Sequence, residues 1–164
     1  MKKMMMAGRM GGLISLLMSG LLMAHHSLVQ FDTTSPVWVK GRVVLFDRVN
    51  PHTLLVLDEK RSDGQSRRWV VEGPAAFQLS RLGIVRYDKI RIGDIVEACG
   101  YVPKPGVESQ RVVSKETISS NLKDVSGYRM DGELLVLPDG QKTKWSDYRA
   151  HKCLPADYKD LHTR

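Results

Sequence analysis

Between Pro36 and Leu57 two runs rich in β-branched and aromatic residues flank the triplet Asn50-Pro51-His52. Proline lacks a backbone N–H and drives the residue before it out of the helical region, so the triplet breaks what would otherwise be one long extended segment. The pattern predicts a strand over about 37–48, a corner, and a second strand over about 52–58. Gly41, inside the first run, predicts a bulge or coil that bends a long strand. The side chains of Asn50 and His52 are expected to be held in fixed directions at the junction, which makes this corner the first candidate for a functional position.

The rest of the chain extends this opening. Ser62-Asp63-Gly64 is a hairpin signal, which pairs a third strand over 68–72 antiparallel with the second. Gly73 and Pro74 then end the strand, and Ala75, Leu79 and Leu82 recur at helical spacing up to Gly83. A turn over 90–94 leads to a fourth strand over 95–102. The loop Pro103-Lys104-Pro105-Gly106 precedes a fifth strand over 109–118. Three strands, one short helix and two strands give the order of a five-stranded Greek-key barrel of the oligonucleotide- and oligosaccharide-binding (OB) type. A small open sandwich is the alternative. Beyond 120, a run from Glu133 to Leu137, the turn Pro138-Asp139-Gly140 and a run to Trp145 predict a further hairpin, followed by a polar tail.

The two ends of the chain set its compartment and its charge. Lys2, Lys3 and Arg9 precede an uncharged apolar run from Met10 to Met23, and Ala24 follows. This is the form of a secretory signal, expected to be cleaved after Ala24. An uncleaved anchor is the rival reading. The domains expected are therefore a signal over 1–24, a barrel with its approach segment over 25–119, and a hairpin and tail over 120–164. The whole chain carries a formal charge of +7, but the signal holds three of the basic residues and no acid. The mature chain is only mildly basic, with its cations scattered among acids, so a nucleic-acid partner is not expected. Nor is a membrane span after cleavage. The expected location is the periplasm or the exterior. In such an oxidising compartment Cys99 and Cys153 invite a disulfide; two separate thiols are the alternative.

The residues suited to chemistry are few. With cleavage after Ala24, His25 would present a free α-amine beside its own imidazole, a pair that chelates one metal ion. A second imidazole from His52 or His26 would complete a three-nitrogen set of the kind that favours Cu(II). The plain reading is that His25 and His26 are a polar start and that His52 caps a strand end. Trp38 and Trp69, on strands flanking the second, could together form an aromatic surface for a sugar or peptide, although barrel core is the commoner role. Glu72 is either a lone acid in a pocket or a carboxylate facing water at a strand end. No nucleophile beside a base, phosphate loop or paired-carboxylate motif is visible, so the chain is not expected to be an enzyme.

The succession His25-His26-Ser27, Phe31-Asp32, Pro36-Val37, Lys40-Gly41-Arg42-Val43, Asn50-Pro51-His52, Trp69 with Val71-Glu72, and Gly93-Asp94 resembles the exported bacterial proteins of domain of unknown function 6152. The likeness runs from about His25 to Lys115 and implies an envelope protein of barrel-like fold, with no established activity. Two function classes follow. One is an envelope module that binds a partner protein or small ligand through Asn50, Trp38, Trp69 or Glu72 and does no chemistry. The other is a copper-binding protein that uses His25 and His52.

Overall fold

Alternation along the first strand decides which side of it becomes core. Val39, Gly41 and Val43 are buried, while Trp38, Lys40 and Arg42 between them are exposed, so one face of the strand must be covered. In the computed structural model of the chain, which describes residues 28–79, 89–113, 125–145 and 150–154, that face turns into a closed barrel. The elements are β1 (Val37–Asp47), β2 (Leu54–Lys60), β3 (Ser66–Glu72), α1 (Ala76–Leu79), β4 (Ile95–Tyr101), β5 (Gln110–Val113), β6 (Val125–Val136) and β7 (Lys142–Lys144).

Five of these strands form the ring. β1 pairs antiparallel with β2 at one end and with β4 at the other, and β2 pairs antiparallel with β3. β6 then pairs parallel with β3 and antiparallel with β4, which closes the order β1-β2-β3-β6-β4. With β6 in fifth place and α1 between the third and fourth strands, this is the expected OB-like Greek-key barrel. Closure leaves no free edge within the ring itself, and edges are what invite pairing with other chains.

The interior is filled by side chains. Val43, Leu57, Trp69, Val71, Met130 and Trp145 belong to one buried cluster. Trp145 stacks near Phe46, with ring centroids 6.5 Å apart. A second cluster lies on the outer side of β2 and β3, where Leu54, Val56 and Val70 meet Leu45, Val113 and Val125. That is why β2 opens on four consecutive buried apolar residues: it is covered on both faces.

Cys99 and Cys153 form a disulfide, with Cα atoms 5.9 Å apart. It packs with Leu134 and Leu154 as a small third cluster that fastens the 150–154 turn to the barrel wall. Residues 1–27, with the expected signal, and the end of the polar tail from 155 lie outside the described residues. Among the described residues no helix is long and apolar enough to cross a membrane.

Three expectations need correction. The fifth strand of the ring is not 109–118: the described part of that stretch, β5, pairs only with β6 and stands outside the ring. The closing strand is β6, so the barrel draws on residues beyond the boundary placed at 119. Its first two thirds carry Ser126, Gly127, Tyr128, Arg129, Asp131 and Gly132 around only two apolar side chains, Val125 and Met130, a polar, glycine-broken composition that lacks the apolar alternation of a strand. The glycines answer to packing. A Cβ at Gly132 would meet Val71 Cγ1 at 2.7 Å and Glu72 O at 3.1 Å, so the parallel seam closes only without one.

The second correction concerns the bend in β1. The register shift falls between Val43 and Leu45, not at Gly41. Gly41 sits where β1 hands over from β4 to β2. The third concerns the predicted hairpin after 133. Its turn forms as expected, with Gly140 N–H donating to Leu137 O, but its first strand is the last third of β6 and its second, β7, is three residues long.

Candidate functional site

The Asn50-Pro51-His52 corner is built into the barrel by hydrogen bonds to the β3–α1 connection. Thr53 N–H donates to Pro74 O at 2.9 Å and Gly73 N–H donates to Thr53 O at 2.8 Å. Asn50 Oδ1 accepts from Ala76 N–H at 3.1 Å, satisfying a donor in the first turn of α1. His52 Nδ1 lies 3.1 Å from Gly73 O. A carbonyl only accepts, so Nδ1 carries the proton, and the lone pair of a neutral ring sits on Nε2. The corner is thus a fixed structural junction, as its proline implies, with Asn50 Oδ1 and His52 Nδ1 both bonded to backbone groups.

The partner histidines expected for His52, His25 and His26, lie outside the described residues. The approach segment that follows them is described from Leu28 and runs beside the β4–β5 connection. Lys104 N–H donates to Gln30 O, and Asp32 N–H donates to Val102 O. Phe31 is buried there and faces the Arg129 guanidinium at 5.1 Å. Thr34 donates to Asp32 Oδ1 through its amide at 3.0 Å and its hydroxyl at 2.6 Å. These bonds hold the Asp32 carboxyl below its ordinary pKa. Among the described residues no group of three or more His, Cys, Asp or Glu side chains is placed to hold a metal ion.

Trp38 and Trp69 do not form one aromatic surface. Trp38 points out of the wall beside Cys99, its cross-strand partner, and is 45% exposed. Trp69 points inward and is 5% exposed, with its indole N–H donating to Glu59 Oε2 at 2.9 Å. The alternation of each strand puts the two rings on opposite sides of the barrel wall. Glu72 is neither a lone pocket acid nor a carboxylate in water. It is 7% exposed, and its Oε1 lies 3.0 Å from Arg111 Nη1 and 3.3 Å from Arg129 Nε. Two cations from β5 and β6 neutralise it, so its role is to tie three strands together.

At the other end of β3 the arrangement is open. The parallel pairing of β3 with β6 begins only at Trp69 and Tyr128. Before that pair, where β6 is still laddered to β5 on its other side, a groove of about 220 Å³ runs between the β2–β3 hairpin and the start of β6. Arg61, Arg67, Arg68, Gln110, Ser126 and Tyr128 line it. Gly127 keeps the strands close beneath it, since a Cβ there would lie 3.0 Å from Arg68 O.

The three arginines are held differently. Arg68 forks onto Asp58, with Nε–Oδ1 at 2.6 Å and Nη2–Oδ2 at 2.7 Å, and this pairing raises its pKa. Arg61 faces Asp63 at 3.5 Å, both side chains being exposed. Arg67 forms no ion pair with any described residue. Its guanidinium lies 5.0 Å from the Tyr128 ring and 5.8 Å from the Trp69 ring, and those two rings are tilted together at 5.7 Å. Glu59 is opposite Arg67 in the ladder but gives its Oε2 to the Trp69 indole. Two aromatic rings thus hold the Arg67 cation where it lines the groove.

Sequence reasoning treats the basic residues only as cations scattered among acids and singles out neither Arg67 nor Tyr128. Period-two alternation does place Arg67 on the side of Trp69. Nothing local announces that Tyr128, some sixty residues away, stacks beside them, because that depends on the long-range β3–β6 pairing.

No curated protein sequence matches the chain. The group described as "Family of unknown function (DUF6152)" matches residues 13–111, which cover the approach segment, β1 to β4 and the first half of β5. More than half of the sequence lies in that match, and the chain belongs to this family of unknown function.

Proposed function

We propose that this chain is an exported binding module of the cell envelope, which holds a small ligand or partner protein on its barrel and performs no reaction of its own. The observation that carries the reading is the groove beside the β3–β6 seam, a preformed polar recess on a barrel whose interior is filled. The buried disulfide and the apolar stretch ahead of Ala24 support export. The test is amide NMR of the exported protein against envelope components: neutral saccharides, anionic saccharides and short peptides. Saturable shifts confined to the amides of Arg67, Gln110 and Tyr128 support the module. A panel that leaves those amides still overturns it.

A second reading, copper binding through His25 and His52, is favoured by the tautomer of His52. Metal-bound imidazoles commonly donate their other N–H to a carbonyl, as Nδ1 does to Gly73 O, which directs Nε2 to the metal. A Cu(II) titration of the exported protein with paramagnetic resonance tests it. Binding at one ion per chain with nitrogen ligation supports it, provided that His52→Ala, or one extra residue before His25, abolishes it. Binding indifferent to both changes overturns it.

A further inference from the structure

We infer that the groove ligand carries a phosphate-type oxyanion and that Arg67 is the residue that reads it; the inference rests on the binding-module reading. Arg61, Arg67 and Arg68 all line one recess of about 220 Å³, a size suited to a single charged group and not to a folded chain. Acids are near, and they are accounted for. Asp58 is forked by Arg68, Glu59 accepts from the Trp69 indole, and Asp63 faces Arg61 at long range while accepting from Gln65 N–H at 2.9 Å. Arg67 is the cation for which none of these acids is a partner.

Its geometry is suited to an oxyanion. A guanidinium stacked over aromatic rings presents its planar edge of N–H donors, and that edge matches two oxygens of one phosphate or carboxylate. The ring contacts already restrain the Arg67 side chain, so less side-chain freedom is lost when a ligand arrives. Neutral donors complete the lining: Gln110 and Ser126 stand on the β5–β6 side, and Ser66 on the β3 side. Arg61 is half-exposed and only loosely held, so it can turn toward a second negative charge. A dianionic phosphate makes better use of this set than a single carboxylate. A soluble phosphate ester and a lipid phosphate headgroup share that chemistry.

The test uses the exported protein and follows amide shifts with four probes: inorganic phosphate, glucose 1-phosphate, glucose, and vesicles of phosphatidylglycerol against vesicles of phosphatidylcholine. Saturable shifts at Arg67, Tyr128 and Gln110 with phosphate and glucose 1-phosphate, absent with glucose, are expected. Arg67→Ala should weaken the binding roughly tenfold or more, the loss of a charge-assisted pair of hydrogen bonds. Arg67→Lys keeps the charge without the fork and should recover only part of it. Binding to phosphatidylglycerol vesicles that inorganic phosphate displaces identifies a lipid source, and binding to glucose 1-phosphate without vesicle binding identifies a soluble one.

Phosphate shifts that survive Arg67→Ala, or that spread over Lys40 and Arg42 on the opposite wall, are general charge attraction and overturn the inference. Groove shifts with glucose or a peptide but not with phosphate overturn the oxyanion and leave the module standing. If no probe in this set or in the wider panel moves the groove, both fall.

Discussion

The two ends of β3 use the same side chains for opposite purposes. At its C-terminal end Glu72 is buried between Arg111 and Arg129, and its charge is compensated inside the protein. At its N-terminal end Arg67 lies over two aromatic rings beside an open groove, with no acid among the described residues as its ion-pair partner. The difference follows from where the parallel seam runs. β6 is laddered to β3 from Trp69 to Glu72 and seals that end, while the ladder does not extend to the three residues before Trp69. Burial compels pairing, since an uncompensated charge in the interior is costly; exposure permits a cation whose partner has yet to arrive.

The largest expected effect tests whether the far wall matters to either end. The Cys99–Cys153 bridge closes a loop with a sequence separation of 54. By the chain-entropy account, Cys153→Ser should cost about 4 kcal/mol of stability. The bridge packs against Leu134 on the β4–β6 side of the ring, so groove binding per folded molecule should not change. Urea unfolding and ligand titration of the same variant check this. A weakened groove in fully folded protein would mean that the two walls are coupled.

Next comes Glu72→Ala, which leaves two arginines facing a cavity. Breaking a buried pair typically costs 3–5 kcal/mol; with Arg111 partly exposed, about 3 kcal/mol is expected. Unfolding midpoints measure it. A loss near zero would erase the distinction between the two ends, because the sealed end would then be no more than another exposed ion pair.

That contrast also marks what could be read from residues alone. β1, β2 and β3 were legible because their signals are local: the Asn50-Pro51-His52 break, the Ser62-Asp63-Gly64 turn, and β-branched runs. β6 was not, because Gly127 and Gly132 serve neighbours that lie far away in sequence, and a strand that must pass close to others loses the side chains by which strands are recognised. The same gap hid the groove. Glu72 could be named but not placed, since its arginine partners belong to β5 and β6. Arg67 could be seen in sequence, but the ring that holds it could not.

A smaller effect on stability, and a larger one on function, is expected at the open end. Arg67→Ala removes cation–π contacts worth about 0.5–1 kcal/mol at a partly exposed site. It should therefore shift unfolding by no more than roughly 1 kcal/mol while removing most of the oxyanion affinity. Glu72→Ala should do the reverse, losing stability and keeping affinity in its folded fraction. If Arg67→Ala unfolds the protein as badly as Glu72→Ala does, the arginine is a structural strut, and the two ends of β3 differ only in exposure.

The smallest effect is an acid-side change confined to the sealed end. Thr34 donates two hydrogen bonds to Asp32, next to Phe31, which covers Arg129. These bonds hold the Asp32 carboxyl below its ordinary 3.8, so the unfolded chain takes up the proton more readily than the folded one. The stabilisation is fully present above that ordinary value and disappears as pH falls through the lower folded value. Asp32 is exposed, so the gain is small and screened by salt. Thr34→Val deletes the hydroxyl donor and should move the Asp32 titration, followed by carboxyl NMR, back toward 3.8. With it, the Phe31 amide should begin to exchange faster at a higher pH than in the parent protein. The Arg67 amide should show no such step. If it did, acid would be loosening the whole barrel, and the approach segment could not be a separate cover over one end of β3.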